Sequence, residues 1–308
     1  MSTARSNLLS RIQAIHTILS NPISIDTVPV PVSNSAAVAI RNGCTVMLFC
    51  ALESFVRDRS LECANSINQS KIPYSHLSDD LKHVSIVSTF DGLSLATRGW
   101  SKIDKIQEFE KAAVAVSSGY LGAAYQFTSY SFARDKSNVT ADDVGLIARA
   151  FGVENFWQCA AKVSAKAGLS IPTKHEDLFR LLARERHKAA HVSQHNVPHS
   201  WLQSALSHCI SIAIAFDTLI STAIHNLNIS GPSVGLKVTD SHIDFLTLKP
   251  QRNGKWAALR PSAIRASFVE NDKATALARA MNYTYSRNLS VVCHDFGGRL
   301  TEWVTILG

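Results

Sequence analysis

The sequence predicts a mainly α-helical fold, in which an all-helical domain is followed by a small α+β domain. Through residues 1–229, apolar side chains recur every three or four positions, which is the spacing of one helix face. The composition changes at Ser230-Gly231-Pro232, and the apolar runs downstream are short, alternating and rich in β-branched residues. We therefore expect a helical domain over residues 1–229 and an α+β domain over residues 233–308.

Several helices are expected before the candidate site. Leucine and isoleucine recur at helical spacing over residues 8–19, whereas the prolines in residues 23–32 favour an extended segment. Thr140 can cap a helix that Gly152 ends. The same patterns predict further helices over residues 35–68, 77–96, 103–127, 154–168 and 198–227.

The helix that carries the candidate site begins at a capping pattern. Thr173-Lys174-His175-Glu176 matches a capping box, in which the threonine and the glutamate satisfy free backbone N–H groups. The apolar positions that follow are Leu178, Leu181 and Leu182. Because the residue before Pro198 avoids the helical conformation, the helix should end before it, and residues 184–191 fall in its second half.

Two hairpins and one helix are predicted in the C-terminal domain. The first hairpin joins residues 236–249 to residues 255–259, and the second joins residues 289–293 to residues 300–306. A glycine-containing turn separates the two strands of each pair. A helix over residues 272–285 connects the hairpins.

The composition favours a cytoplasmic protein with an anionic partner. Of the 308 residues, 46% are hydrophobic and 18% are charged, which supplies a sizeable core and argues against disorder. The net charge of +7 suits RNA as the partner. The six cysteines form no C-x-x-C pair and are expected to be buried free thiols, and residues 1–10 lack the apolar core of a signal peptide. Residues 201–224 approach transmembrane length, but His208 and Asp217 interrupt them, so a buried core helix is expected.

Residues 184–191 read Arg184-Glu185-Arg186-His187-Lys188-Ala189-Ala190-His191 and have the side chains that metal-free RNA cleavage needs. A base must take the proton of a 2′-hydroxyl, an acid must protonate the leaving 5′-oxygen, and a cation must stabilise the charge on the phosphate. Histidine suits proton transfer because its ordinary pKa lies near neutrality. Arginine suits phosphate because its planar guanidinium offers paired donors and stays charged.

Helix geometry determines which of these residues can converge. His187 and His191 lie close to one face of an ideal helix, and Arg184 nearly coincides with His191. Arg186 and His191 lie about 140° apart on the same ideal helix. These two residues therefore reach one phosphate only if the helix unwinds near His191 or if two protomers meet there.

The pattern from Arg186 to His191 resembles the R-x4–6-H motif of HEPN domains, which are all-helical proteins of toxin–antitoxin and antiphage systems. A polar residue often follows the arginine of that family, and His187 takes this place. Residues 48–58, Leu-Phe-Cys-Ala-Leu-Glu-Ser-Phe-Val-Arg-Asp, resemble the long helix of the RiboL-PSP-HEPN branch and its relatives. The resemblance covers residues 36–228 and predicts an HEPN-like helical bundle there.

The resemblance implies a metal-independent endoribonuclease that uses no cofactor and acts as a homodimer, with two motifs facing one another across a shared cleft. Arg186 would bind the scissile phosphate and His191 would transfer protons, with His187 as a secondary member. The product would carry a 2′,3′-cyclic phosphate. Arg184 also fits the permitted spacing, so the identity of the primary arginine stays open. Such a protein would be a toxin or a defence effector, with an antitoxin or a defence-system protein as a further partner.

Glu53 is a further candidate site residue, because it sits among apolar neighbours on the long second helix. One interpretation is an ion pair with Arg57, which lies one helical turn later. The other is that Glu53 orients Arg186 or a histidine in the cleft.

The basic segment also permits interpretations without catalysis. Basic side chains near a helix C-terminus suit the helix dipole. His187, His191, His195 and His199 recur every four residues, but Pro198 argues against one continuous helix, so no metal site is expected. The competing function is a non-catalytic, dimerising HEPN-like scaffold that binds nucleic acid or a partner protein. In the C-terminal domain, the residues around Trp256 form either a solvated hairpin or an RNA-docking surface, and they are Arg252, Lys255, Arg260 and Arg265.

Overall fold

A computed structural model of the chain describes residues 2–25, 31–67, 72–120, 126–132, 138–169, 171–230, 237–285 and 287–307. The helices are α1 (Thr3–Leu19), α2 (Pro31–Ile67), α3 (Asp79–His83), α4 (Thr89–Ala96), α5 (Lys102–Ser118), α6 (Ala141–Ala150), α7 (Phe156–Lys166), α8 (His175–His191), α9 (His199–Ser230) and α10 (Lys273–Tyr285). The strands are β1 (Phe245–Pro250), β2 (Trp256–Leu259), β3 (Phe268–Glu270), β4 (Ser290–His294) and β5 (Leu300–Val304). The fold is therefore mainly α-helical with a small C-terminal sheet, as the sequence predicts.

α2 and α9 form the centre of the helical bundle. α2 packs along α1, α8 and α9, and α7 packs against α9. Phe55 of α2 meets Phe216 of α9 edge to face, with ring centroids 6.4 Å apart. By length and composition both central helices could cross a membrane, but 89% of the apolar window of α9 and 44% of that of α2 are buried inside the protein. This burial confirms the prediction that residues 201–224 belong to a core helix.

The five strands form one sheet in the order β3-β2-β1-β4-β5. β1 pairs antiparallel with β2 and parallel with β4, and β4 pairs antiparallel with β5. α10 covers one face of the sheet, where Leu246 and Leu248 are buried. The other face contributes Phe245 and Trp303 to the core of the helical bundle. The sheet therefore shares one hydrophobic core with the helices.

A buried cluster of charged groups also joins the sheet to the bundle. Asp217 of α9 is fully buried and accepts hydrogen bonds from Arg5 Nε at 2.8 Å and Arg59 Nε at 2.6 Å. Trp303 Nε1 of β5 donates a third at 2.8 Å. Burial raises the pKa of Asp217, but the two arginine charges and the hydrogen bonds from Arg59 and Trp303 outweigh it and lower that pKa to about 2. The carboxylate thus ties together α1, α2, α9 and β5.

Two predicted segments in the first half of the chain differ from the structure. Residues 22–24 form a 3-10 turn and α2 begins at Pro31, so the predicted extended segment over residues 23–32 is wrong at both ends, and residues 26–30 lie outside the described part. Proline is compatible with the first helical turn because its missing N–H has no partner there. The helix predicted over residues 103–127 ends at Ser118, where Ser117, Ser118 and Gly119 are weaker helix formers than the preceding alanines.

Other local predictions have mixed outcomes. The helix start at Thr140 is confirmed, and it forms a capping box with Asp143. The capping box at Thr173 is wrong, because Lys174 occupies the cap position of α8 and makes no side-chain hydrogen bond. Both hairpins are confirmed, whereas the three-residue strand β3 was not predicted. The predicted domain boundary falls between the end of α9 and residue 237, where residues 231–236 lie outside the described part.

The six cysteines are free thiols, as predicted. Five of them are buried, and Cys50 is half-buried. Burial raises the pKa of Cys209 to about 12, so this thiol stays protonated at neutral pH.

Candidate active site

α8 holds the whole motif on one regular helix. Its buried side chains anchor it against α2, α7 and α9, and they are His175, Leu178, Phe179 and Leu182. Lys188 and His191 lie in its last turn, where the charge of Lys188 suits the negative end of the helix dipole. The chain stays helical through His191 and leaves the helix at Val192, whose φ of −106° is extended. The unwinding that could have carried His191 towards Arg186 is therefore not observed.

Three motif side chains form an exposed stripe on α8, consisting of Arg184, His187 and His191. The side chain of Arg184 is 64% exposed, and both histidines are exposed. The imidazole rings of His187 and His191 are in contact, with centroids 4.9 Å apart and planes tilted by 52°. The prediction that these histidines share a face is confirmed. The stripe presents two groups that can transfer protons and one permanent cation to any ligand that approaches.

Arg186 lies away from the exposed stripe. Its side chain is half-buried and lines a pocket together with Asn138 and Phe179. Its Nε is buried and has no hydrogen-bond partner among the described residues. Within the same part of the chain, no hydrogen bond or ion pair joins Arg186 to His191, which agrees with their separation around a regular helix.

Glu53 of α2 is electrostatically coupled to Arg186. It is 4% exposed, and its carboxylate accepts a hydrogen bond from the backbone N–H of Val139 at 2.6 Å. Burial raises the pKa of Glu53, and the hydrogen bond from Val139 and the charges of Arg57 and Arg186 oppose that rise. The charges of Arg57 and Arg186 each favour the ionised form of Glu53. An ion pair with Arg57 and an orienting role towards Arg186 therefore both retain support. The contact with Val139 additionally fixes the segment that precedes α6.

Glu185 organises the other side of the motif, a role that the sequence interpretation missed. Its carboxylate lies 3.3 Å from Lys188 Nζ, 3.7 Å from Arg184 Nε and 3.0 Å from His195 Nε2. His195 Nε2 makes no hydrogen bond to a described residue, so its approach to Glu185 is a close contact and not a hydrogen bond. The spacing of Glu185 and Lys188 could have signalled their pairing, but nothing local indicates the approach of His195.

The segment after α8 is held in place by α2. Arg41 is fully buried and donates hydrogen bonds to the Val197 carbonyl at 2.7 Å and to Asn196 Oδ1 at 2.8 Å. Asn42 donates to the His195 carbonyl at 2.7 Å. This segment therefore has a defined path, which positions His195 beside Glu185.

The four histidines at four-residue spacing do not converge. His195 lies beside Glu185, and His199 makes a hydrogen bond to the Leu19 carbonyl at 3.0 Å. Within the described ranges, no group of three or more His, Cys, Asp or Glu side chains could hold a metal ion. Of the four, only His187 and His191 are in ring contact.

Basic and aromatic side chains meet in the C-terminal domain. Their arrangement is compatible with a solvated hairpin and with an RNA-docking surface, so both interpretations stay open. Trp256 is half-buried, with Lys273 Nζ 5.9 Å from its ring centroid. At the other end of α10, the guanidinium carbons of Arg260 and Arg287 lie 5.5 and 4.1 Å, respectively, from the ring centroid of Tyr283. The four predicted basic residues are exposed, and they are Arg252, Lys255, Arg260 and Arg265.

The chain matches no family model, no curated protein and no solved structure. The structure brings the five candidate residues together as two groups. One is the exposed stripe of Arg184, His187 and His191, and the other is the half-buried Arg186 with Glu53.

Proposed function

We propose that the chain is a metal-independent endoribonuclease of the HEPN type that acts in the cytoplasm as a toxin or antiphage effector. The observation that carries this proposal is the contact between two exposed imidazoles, His187 and His191, whose ring centroids are 4.9 Å apart. Arg184 lies two helical turns before His191 and adds an exposed cation to the same face. The mainly helical fold and the resemblance of residues 186–191 to the HEPN motif support the same class.

The proposed reaction is a transesterification within the RNA chain. A neutral imidazole accepts the proton of the 2′-hydroxyl while that oxygen attacks the adjacent phosphorus. The bond from phosphorus to the 5′-oxygen breaks, and a protonated imidazole donates its proton to the departing oxygen. The products are a 2′,3′-cyclic phosphate and a 5′-hydroxyl. A guanidinium, from Arg184 or Arg186, stabilises the charge on the non-bridging oxygens.

A homodimer would complete the site. Because α8 stays helical through His191, Arg186 and His191 of one chain do not face one phosphate. Two α8 helices that meet across a cleft would let an arginine of one copy act with a histidine of the other. The proposed partners are RNA, a second copy of this chain and an antitoxin or defence-system protein. The net charge of +7 supports the binding of RNA.

Incubation of the purified protein with mixed RNA in EDTA tests the proposed activity. We expect the wild type to produce ends with a 2′,3′-cyclic phosphate. His187→Ala and His191→Ala should each lower the rate of RNA cleavage by at least about 100-fold, because a positioned general acid or base typically accelerates a reaction by at least that factor. His83→Ala is the matched control, because His83 is an exposed histidine on α3. Cleavage that requires an added divalent metal ion would contradict the mechanism, and a strict monomer in light scattering would contradict the shared cleft.

A second candidate function is a non-catalytic scaffold that binds nucleic acid or a partner protein. The observation that favours it is the half-buried position of Arg186, whose charge acts on Glu53 and which makes no hydrogen bond or ion pair with His191 among the described residues. This alternative predicts RNA binding without cleavage. In that case His191→Ala would leave both the RNA and its affinity for the protein unchanged.

A further inference from the structure

A pocket of about 260 Å3 opens beside the exposed stripe. Phe49 of α2 and Phe179 of α8 form its apolar floor, with ring centroids 5.4 Å apart in an edge-to-face contact. Asn138, Arg186 and His187 supply polar groups to its wall. The volume lies just below the range of about 300–1,000 Å3 that holds drug-sized ligands, so it suits a single planar ring system.

Two buried polar atoms of the pocket residues lack hydrogen-bond partners among the described residues. They are Arg186 Nε, which is a donor, and Asn138 Oδ1, which is an acceptor. Most buried polar atoms in folded proteins are hydrogen-bonded. The unpaired donor and acceptor belong to two half-buried side chains of one pocket, and a ligand with complementary groups would satisfy them if these side chains turn towards it. The edge of a nucleobase offers neighbouring donors and acceptors of this kind.

The charges around the pocket favour a neutral ligand over an anion. Arg180 is paired with Asp142 at 2.9 Å and with Glu176 at 2.8 Å. The charge of Arg186 is opposed by that of the nearby Glu53 carboxylate. A phosphate would therefore meet carboxylates here, whereas a neutral base would not. The phosphate is better placed outside, at the exposed stripe, where the guanidinium of Arg184 is 64% exposed and has the Glu185 carboxylate 3.7 Å from its Nε.

His187 connects the pocket to the proposed chemistry. It lines the pocket, and its ring also contacts that of His191. A base in the pocket would therefore place its own phosphate within one nucleotide of the histidine pair. We propose that this pocket binds one nucleobase of the RNA, that of a nucleotide flanking the scissile phosphate. The inference rests on the proposed ribonuclease function and adds base preference to it.

Calorimetric titration with the four 2′-deoxynucleoside 3′-monophosphates tests the pocket without cleavage, because these probes lack the attacking hydroxyl. We expect the wild type to prefer one base over the weakest by at least about fivefold, the lower end of discrimination by paired hydrogen bonds. Ala183→Leu fills the pocket, since Ala183 lines it, and should reduce the preferred affinity by about tenfold. Ala190→Leu is the matched control, because Ala190 is an exposed alanine of the same helix outside the pocket lining, and it should preserve the preference.

Asn138→Leu provides a second variant, on the segment before α6, in case Ala183→Leu does not fold. It removes the unpaired acceptor and should narrow the base preference to less than about twofold. Equal affinity of the wild type for all four probes, or no binding of any, overturns the proposal. So does a preference that survives both Ala183→Leu and Asn138→Leu.

The same titrations separate this proposal from the proposed activity. Base-selective binding by a protein that cleaves no RNA would retain the pocket and reject the ribonuclease. Cleavage of RNA by a protein that shows no base selectivity would retain the ribonuclease and reject the pocket.

Discussion

Asp217→Asn should be among the most damaging single substitutions outside the candidate site. The carboxylate is fully buried, and Arg5 Nε and Arg59 Nε donate to it at 2.8 and 2.6 Å. Asparagine keeps the shape but removes the charge, which leaves two buried guanidinium groups facing a neutral amide. Removal of one member of a buried ion pair typically costs about 3–5 kcal/mol. This is a large part of the roughly 5–15 kcal/mol by which a protein domain is stable.

Acid titration gives an independent measure of the same group. The folded pKa of Asp217 is about 2, below its ordinary value of 3.8. A lowered folded pKa stabilises the fold above pH 3.8, and that contribution is lost as the pH falls from 3.8 to about 2. The shift corresponds to roughly 2 kcal/mol, smaller than the cost of substitution because burial opposes the favourable charges.

Urea unfolding followed by circular dichroism at pH 7 measures the effect of the substitution. Asp79→Asn is the control, because Asp79 is fully exposed and its pairing with Lys82 is a surface contact, so its unfolding midpoint should stay unchanged. If Asp217→Asn costs less than about 1 kcal/mol, the cluster does not join the sheet to the bundle in the way described.

Three further predictions concern the core, the pH dependence of stability and the segment after α8. Phe55→Ala should lower the free energy of unfolding in urea by about 3–5 kcal/mol, because Phe55 is 1% exposed and contacts Phe216 and Trp303. The control Phe296→Ala changes a side chain that is 74% exposed and should lower it by less than about 0.5 kcal/mol. Equal effects of the two substitutions would contradict the assigned core. Burial and the charge of His208 lower the pKa of His175 to about 4 in the folded protein. As the pH falls, His175 is therefore protonated in the unfolded chain before it is protonated in the folded one. The free energy of unfolding should fall by up to about 3 kcal/mol between pH 6.5 and pH 4. That loss should be smaller in His175→Gln, and an identical pH profile would refute the assignment. Arg41→Leu should increase amide hydrogen exchange in residues 192–197 by at least about tenfold, since it removes the hydrogen bonds to Asn196 and Val197. Unchanged exchange would show that Arg41 does not hold this segment.

Much of the fold could be predicted because it depends on local periodicity. The apolar spacing of residues 201–224 indicated a core helix, and most of that segment is buried in α9. The hairpin between β1 and β2 followed from two short runs around a turn. The parallel pairing of β1 with β4 could not be predicted in this way, because it joins strands separated by β2, β3 and α10.

The candidate site shows the same division. The spacing of His187 and His191 alone predicted their common face, and their rings are in contact. The position of Arg186 beside Asn138 and Glu53 depends on how α8 packs against α2 and the segment before α6, which no local pattern records. The contact of His195 with Glu185 likewise depends on the hydrogen bonds that hold residues 195–197 against α2.

By itself, the sequence determined that residues 184–191 lie on a helix and that two histidines and one arginine share one face of it. These features follow from the helical repeat, which acts over neighbouring residues. Only the tertiary structure decided that Arg186 lines a pocket and that Asp217 meets Arg5 and Arg59. Contacts between residues far apart in the chain form only when packing brings their elements together, and the local pattern around each residue contains no information about its distant partner.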